Sequence, residues 1–381
     1  MFFQNQFNPQ SQFLTIMANP ESPTTPKTQS SSKRILIIVL QVVLMIGIFG
    51  ALLWYVGIDS LYQSLLTIKI EYLFLVFLTY FGINVLFTVR LRRVLAKDGV
   101  KTSFGKTLLA QYAGMLTSDV TPGRSGYVLT PVYLRDQNIP TSKSLSGILG
   151  IQTIEFLVKV IGGIGAVIFL INVVPPLNWD KFGTFAGINV GLLIAGLGIA
   201  LMLTGAILLA AFTWSQRAIS IFDRIANSRY LKRFAGSLMG KLEEYKDSSQ
   251  KTRRAIPEIG LLTMASWILK GFEWYFLGLA LGITQIPLLG YFLIHPLVTA
   301  LGFVPITPAG AGFQEFGIVG IFTTLLGVGV GPATAFALLS RGLLIFEDLA
   351  GLPQILKSTS SLFSSRKKPK ETSLLPQTPT L

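Results

Sequence analysis

The chain of 381 residues is half hydrophobic (51%) and carries few charged residues (13%), with a mean hydropathy of +0.59. No ordinary soluble domain of this length has such a composition, so the chain is predicted to be an integral membrane protein. Its net charge of +14 comes from basic residues clustered beside apolar segments, which indicates contact with anionic lipid headgroups and excludes a typical nucleic-acid-binding surface. The absence of cysteine excludes disulfides, thiolate nucleophiles and Cys-based metal sites.

The N-terminal part of the sequence is a polar segment followed by two apolar runs. Residues 1–34 are rich in Ser, Thr, Pro, Gln and Asn and are predicted to form a disordered cytoplasmic tail. The apolar run at 35–56 is too long for the hydrophobic part of a signal peptide, so it is predicted to span the membrane. A second span is predicted at 72–89, and the basic cluster from Arg90 to Lys106 assigns its end to the cytoplasm.

Two short stretches interrupt the later apolar segments with proline and glycine. Thr121 to Tyr127 reads TPGRSGY and Thr307 to Phe313 reads TPAGAGF, so both follow the pattern T-P-small-x-small-G-aromatic. Proline and glycine disfavour a continuous helix, and irregular backbone inside a bilayer occurs only where protein or a water-filled cavity surrounds it. The two breaks therefore predict one shared internal site, with each break in a re-entrant or short-helix hairpin.

The remaining apolar segments are separated by polar connections. The basic loop 214–257 is predicted to be cytoplasmic and to contain an interfacial helix near Ile219 to Ile225, and residues 358–381 are predicted to be a disordered basic cytoplasmic tail. The segment 182–212 is longer than a bilayer requires and is expected to tilt or to extend beyond the hydrocarbon. The predicted apolar segments after the second span lie at 104–116, 127–134, 145–171, 182–212, 259–281, 291–303, 313–330 and 333–356.

The two halves of the membrane region, about 35–172 and 182–356, show the same order of elements: span, span, broken hairpin, span. Matched residues stand at corresponding positions, namely Pro140 with Pro332, Gly150 with Gly342, Glu155 with Glu347 and Leu157 with Leu349. The corresponding long helices run in opposite directions, so the predicted fold is an all-α polytopic helical membrane bundle of two inverted repeats. The alternative is that membrane helices of similar composition share a few residues by chance.

These motifs resemble the transmembrane region of lysylphosphatidylglycerol synthases, a flippase-like family of integral membrane proteins. The resemblance covers about residues 35–357 and is carried by the stretches LRRVLAKDGVKTSF, TPGRSGYVLTPVYLRDQNIP and PITPAGAGFQEFGIVGIFTTLLGVGVGPATAFALLSRGLLIFEDLAG. It implies a domain that moves polar-headgroup lipids between leaflets. The soluble aminoacyltransferase domain that follows in bifunctional members is not expected in this chain.

The sequence departs from the family pattern at three positions. The first motif of the family continues G-E-x-x-R, whereas this chain has Tyr127 and Thr130 at the two charged positions. The E-R pair of the family on the next helix reads Glu155-Phe156 here. These departures leave the headgroup preference open.

Charged residues inside apolar segments are the candidates for a lipid headgroup site, because an uncompensated charge in hydrocarbon costs several kcal/mol. Arg124 and Arg341 suit a phosphate, since guanidinium binds phosphate oxygens in a bidentate way. Acidic candidates on the same segments could pair with the arginines, receive a cationic headgroup or carry a coupling proton. The expected substrate-binding residues are Arg124, Ser125, Gly126, Glu155, Thr307, Pro308, Gly310, Gly312, Gln314, Glu315, Arg341 and Glu347, with no catalytic residue, metal or cofactor.

Each of these charges has an alternative structural interpretation. Arg341 and a nearby carboxylate could form an ion pair that holds two helices together. Lys159 could extend its ammonium group towards water, and Lys270 is predicted to pair locally with Glu273. The single histidine, His295, is interpreted as a packing or helix-end residue, with a proton relay as the alternative.

The predicted function is that of a non-enzymatic lipid translocator in the plasma membrane, with both termini in the cytoplasm. Its partners are expected to be a phospholipid or polyprenyl-linked lipid and the membrane, with no nucleic acid. A homo-oligomer and a lipid-modifying enzyme partner are both compatible with the sequence. The alternatives are a membrane-embedded glycosyl- or aminoacyl-transferase acting on a lipid, and a non-transporting partner subunit of such an enzyme.

Overall fold

The computed structural model describes residues 40, 43–48, 50–51, 53–54, 57–174, 179–185, 187–215, 232–303 and 306–365. These residues are almost entirely helical, which confirms the predicted all-α membrane bundle. Both predicted tails, except residues 358–365, and the predicted interfacial helix near residues 219–225 lie outside the described residues.

Eleven helices of eight or more residues can be labelled in chain order among the described residues. Helical residues at 43–48, 50–51 and 53–54 precede them. The labelled helices are α1 (Ile58–Leu66), α2 (Ile70–Lys97), α3 (Phe104–Asp119), α4 (Thr141–Val173), α5 (Val190–Trp214), α6 (Lys232–Arg253), α7 (Ile256–Ala280), α8 (Leu288–Leu301), α9 (Phe313–Gly320), α10 (Val330–Asp348) and α11 (Leu352–Ser365).

Three of the described helices, α2, α4 and α5, are long and apolar enough to cross a membrane. Helix α4 has 33 residues, and a rise of about 1.5 Å per residue makes it about 50 Å long. A bilayer has a hydrocarbon core of about 30 Å, so α4 extends beyond the hydrocarbon. Two further apolar helices, α8 and the combined segment Phe313–Leu325, are shorter.

The segment 182–212 forms a β-hairpin before its helix, so its helical part begins later than the apolar run does. Strands β1 (Thr184–Phe185) and β2 (Ile188–Asn189) first form an antiparallel hairpin. Gly183 and Gly187 flank β1 at φ 71° and 79°, which is backbone that glycine adopts without a steric penalty. Helix α5 begins only after Asn189, whose side chain accepts hydrogen bonds from the first free N–H groups of the helix.

The segments around the two breaks are also less regular than expected. After the first break the chain forms a 3-10 turn (Ser125–Leu129), one helical turn (Thr130–Tyr133) and another 3-10 turn (Arg135–Gln137) in place of the expected helix at 127–134. After the second break, α9 continues as a π-helical segment (Ile321–Leu325) that ends before Gly327. The expected span 333–356 divides into α10 and α11 at a 3-10 turn.

Long-range packing brings the two halves of the chain together. Helix α2 packs along α7, and α4 packs against α5, α6 and α8. An aromatic cluster forms the largest core of buried residues, where Phe336 lies 4.9 Å from Phe322 and 5.2 Å from Trp274 between ring centroids. This arrangement leaves the inner faces of α2, α4, α7 and α8 around a polar space.

Candidate functional site

The two proline- and glycine-containing breaks lie in direct contact. Pro122 and Pro308, which occupy the same position in the two motifs, form an antiparallel bridge. The backbone N–H of Ala309 donates a hydrogen bond to the carbonyl oxygen of Thr121 at 2.8 Å. Each break therefore covers part of the irregular backbone of the other, and irregular backbone at membrane depth requires protein or a water-filled cavity around it.

The backbone of the two motifs is alike at the third and fourth residues and differs at the sixth, where Gly312 has φ 88° and Gly126 lies in a 3-10 turn. Gly123 and its counterpart Ala309 have φ values of 60° and 46°, and Arg124 and its counterpart Gly310 have φ values of 54° and 64°. Arg124 is thus a non-glycine residue in left-handed backbone, at a cost of about 1–2 kcal/mol. Such a cost is tolerated where the surrounding structure holds the residue. The left-handed conformation places the Arg124 guanidinium beside the polar space.

The charged residues of the second break form an internal ion pair. The Nε of Arg341 on α10 donates to Oε1 of Glu315 on α9, and the side chains are 12% and 1% exposed. Glu315 also accepts a hydrogen bond from the backbone N–H of Gly312 at 2.6 Å. Arg341 contacts the carbonyl oxygen of Ala309 at 3.4 Å and Oε1 of Gln314 at 3.3 Å. Through these contacts Arg341 and Glu315 compensate each other's charge and hold α9 and α10 against the second break.

A polar cavity of about 110 Å³ lies among α2, α4, α7, α8 and the first break. Its wall carries four basic side chains, Arg90, Arg124, Lys159 and Lys270, and one acidic side chain, Glu155. Neutral polar side chains complete the polar part of the wall, namely Tyr80, Ser118, Tyr127, Gln152, Thr263, Ser266, Trp267, His295 and Thr299. Such a cavity can shelter a polar group from hydrocarbon.

Most of the cavity charges already have one partner. Glu155 lies 3.2 Å from Arg90 and 2.8 Å from Lys159. Lys270 lies 2.6 Å from Glu273, which confirms the predicted local pair. Arg124 is the least compensated base of the wall, because its closest carboxylate, Asp119, is 3.8 Å away and its buried Nε has no hydrogen-bond partner among the described residues.

A second group of buried charges, Asp119 and Asp348, lies next to the cavity residue Tyr80. The hydroxyl of Tyr80 lies 2.9 Å from each carboxylate oxygen of Asp348. Asp119, at the end of α3, adjoins Asp348, and the closest base to it is Arg124 at 3.8 Å. Asp119 was not predicted as a site residue, although an acidic residue two positions before a break was the available signal.

The structure divides the predicted site residues into two groups. Arg124 and Glu155 line the polar cavity, and Ser125 and Gly126 lie in the 3-10 turn that follows Arg124. Six others, Thr307, Pro308, Gly310, Gly312, Gln314 and Glu315, lie in the second break and at the start of α9 without lining this cavity. The last two lie on α10, where Arg341 pairs with Glu315 and Glu347 lies 3.3 Å from the hydroxyl of Tyr112.

Most residues that line the cavity were not predicted as site residues, and Arg90 and His295 are two of them. Arg90 was counted in a basic cluster at the end of the second span, but its side chain is 1% exposed, donates to Thr263 at 2.8 Å and lines the cavity. His295 was interpreted as a packing residue. It does contact the ring of Trp274 at 4.9 Å, but it also lines the cavity, and its buried Nδ1 has no partner among the described residues.

The family model described as the lysylphosphatidylglycerol synthase TM region matches residues 38–347. The chain belongs to this family. The matched residues include every residue that lines the polar cavity. Membership together with the apolar helices makes the chain a membrane protein of a lipid-related family. A comparison with curated proteins finds no match.

Proposed function

We propose that the protein is a non-enzymatic lipid translocator that moves a polar-headgroup phospholipid or a polyprenyl-linked lipid between leaflets. The observation that carries this proposal is the polar cavity with its excess of basic side chains, in the wall of a bundle of apolar helices. A lipid that crosses a membrane must keep its charged headgroup out of hydrocarbon, where each uncompensated charge costs several kcal/mol. A polar chamber within the bundle supplies that shelter.

The wall chemistry favours a headgroup that contains phosphate. Arg124 supplies guanidinium donors in a planar fork, and such donors match phosphate oxygens. Its weak contact with Asp119, at 3.8 Å, leaves it able to accept a second partner. Lys159 adds an ammonium group on the opposite helix α4, where Glu155 offsets part of its charge. An anionic phosphate would therefore gain charge-assisted hydrogen bonds without creating a new unpaired charge in the protein.

The relation between the two breaks supports an alternating mechanism. Equivalent prolines pair in antiparallel orientation, and the two residues that follow each proline have similar φ values. A local two-fold relation of this kind is expected if the two halves are inverted repeats. Inverted repeats can exchange their conformations, so that one central site faces the two leaflets in turn. We also propose that the two halves are inverted repeats, that the protein lies in the plasma membrane and that both termini are in the cytoplasm.

The test measures leaflet exchange of labelled phospholipids in liposomes that contain the purified chain. Wild type is expected to exchange an anionic phospholipid, and Arg124→Gln is expected to slow exchange about ten-fold or more, because a charge-assisted hydrogen bond is lost. Arg93→Gln is the matched control, because it also removes one arginine charge but at an exposed position outside the cavity. Both variants must show the elution volume and the unfolding transition of wild type, which checks that they fold.

Three outcomes oppose the proposal. Equal exchange by Arg124→Gln and Arg93→Gln would remove the cavity from the mechanism. Formation of a modified lipid by the purified chain alone would favour the transferase. Absence of exchange for anionic, zwitterionic and polyprenyl lipids, together with a stoichiometric enzyme partner, would favour the non-transporting subunit.

A further inference from the structure

A second cavity, of about 260 Å³, lies on the other side of α8 from the polar cavity. Its wall is built from α4, α5, α8, α9 and the residues around β1, and almost every lining side chain is apolar. The residues Leu297, Val298 and Leu301 of α8 face this space, whereas Pro296 and Thr299 of the same helix line the polar cavity. One helix thus separates a cavity with five charged side chains on its wall from one with none.

Three glycines belong to the wall of this apolar cavity: Gly198 on α5, and Gly317 and Gly320 on α9. At Gly317 an added Cβ atom would lie 2.4 Å from Leu301, so this glycine allows close packing with α8. At Gly320 an added Cβ atom would meet only one atom within 4.0 Å, a ring carbon of Phe182. The wall at Gly320 is therefore set back from its neighbours, and the absent side chain leaves a recess there.

The recess opens to the surroundings of the bundle. Ile194 on α5 and Phe316 on α9 line the cavity, and they are 48% and 43% exposed. In a membrane protein the medium outside these apolar faces is lipid hydrocarbon. Water needs two to four polar partners to occupy a cavity, and this wall offers almost none. An apolar cavity of only about 150 Å³ in a soluble protein is large enough to bind benzene.

The two cavities are arranged along the same helix. Lys159 lines the polar cavity and Val167 lines the apolar cavity, both on α4. Eight residues at a rise of about 1.5 Å place Val167 about 12 Å beyond Lys159. Between them, Gly162 packs against Pro296 so closely that an added Cβ atom would lie 2.5 Å from the proline ring. The apolar recess is therefore a separate chamber, and a chain reaches it from the lipid side.

We propose that this apolar recess binds one hydrocarbon chain, acyl or isoprenoid, of a lipid that enters from the bilayer. The wall selects hydrocarbon because it has almost no polar groups, and the opening beside Ile194 and Phe316 admits a chain from the bilayer.

The experiment uses photoactivatable lipids with the full chain in liposomes of phosphatidylethanolamine and phosphatidylglycerol. One set contains phosphatidylglycerol with a diazirine near the end of an acyl chain, and a parallel set contains a polyprenyl phosphate with a diazirine near its tail end. Illumination is followed by mass-spectrometric mapping of the labelled residues. Leaflet exchange is measured on the same preparations.

The variant Gly320→Leu fills the recess, and Gly196→Leu is its matched control. Gly320 has helical backbone with φ −60°, so leucine is tolerated there, and Gly196 lies on the exposed face of α5 with nothing within 4 Å of an added Cβ atom. We expect label on the cavity-facing residues of α5 and α9 in wild type. Gly320→Leu should lower this label about five-fold or more, because steric overlap in a filled cavity costs at least that factor, and Gly196→Leu should leave it unchanged.

Equal labelling in the two variants, or label spread evenly over the exposed faces, would overturn the recess as a chain site. Recess labelling without leaflet exchange would retain the chain site and oppose the proposed translocation. Leaflet exchange without recess labelling would overturn the chain site and leave the proposed translocation standing. The probe that labels the recess distinguishes an acyl chain from an isoprenoid chain. Circular dichroism and gel filtration check that both variants fold.

Discussion

The ion pair between Arg341 and Glu315 is expected to stabilise the fold instead of binding the headgroup. In Arg341→Met the arginine charge is removed, and the Glu315 carboxylate stays in a position where its side chain is 1% exposed. Removing one partner of a buried pair costs about 3–5 kcal/mol, because the remaining charge stays buried and uncompensated. We expect the free energy of unfolding to fall by about that amount.

The double variant Arg341→Met with Glu315→Gln isolates the pair. It removes both charges, while the glutamine oxygen can still accept the hydrogen bond that Gly312 donates to Glu315 at 2.6 Å. Its loss of stability should therefore be smaller than the sum of the two single losses, since residues in contact are not additive. The surface pair Lys97–Glu258, at 2.6 Å with side chains 41% and 39% exposed, is the control. Glu258→Gln should cost about 1 kcal/mol or less.

The assay is equilibrium unfolding in mixed micelles of increasing denaturing detergent, followed by circular dichroism and by tryptophan fluorescence. Coincident transitions by the two probes are needed before a free energy is extracted. A loss in Arg341→Met no larger than in Glu258→Gln would refute the structural role. If Arg341→Met unfolded like wild type but no longer exchanged lipid, Arg341 would belong to the headgroup site.

Two further changes test the packing that positions the site. Gly351→Val should destabilise the protein by about 1–3 kcal/mol or prevent folding, because an added Cβ atom would lie 2.2 Å from the backbone nitrogen of Ala113. Gly196→Val is the control, because Gly196 has open space around it, and it should have a smaller effect in the same unfolding assay. Asn189→Ala should cost about 1 kcal/mol through loss of the cap of α5, and Asn189→Ser should recover part of that loss; equal stability of the two Asn189 variants would contradict the capping role.

Local sequence signals predicted the apolar helices and the two breaks well. Spans α2 and α4 were expected because their apolar residues are contiguous, and contiguity is visible without any partner. The breaks at Thr121–Tyr127 and Thr307–Phe313 were expected because proline and glycine act on their own backbone. The hairpin before α5 was missed, since a run of apolar residues hides the glycine-dependent turn within it.

The sequence was a poorer guide to which charged side chains face the cavity and which partners they meet. Arg90 belongs by composition to a basic cluster, yet α2 continues to Lys97 and turns Arg90 towards α4 and α7, where it meets Glu155 and Thr263. The rotation of a helix about its axis depends on its neighbours. A hydropathy pattern that is apolar on most faces does not specify it.

The sequence by itself determined the class of the molecule: a helical membrane bundle of a lipid-related family, interrupted by two related breaks. Those features follow from residues that act through their own backbone or through contiguous apolar surface. Only the tertiary structure decided which charges face a cavity and which are paired inside the protein. Arg124 lines the polar cavity, while Arg341 pairs with Glu315 from another helix. The physical reason is that the environment of a buried charge is set by side chains distant in sequence, and those distances exist only after the helices have packed.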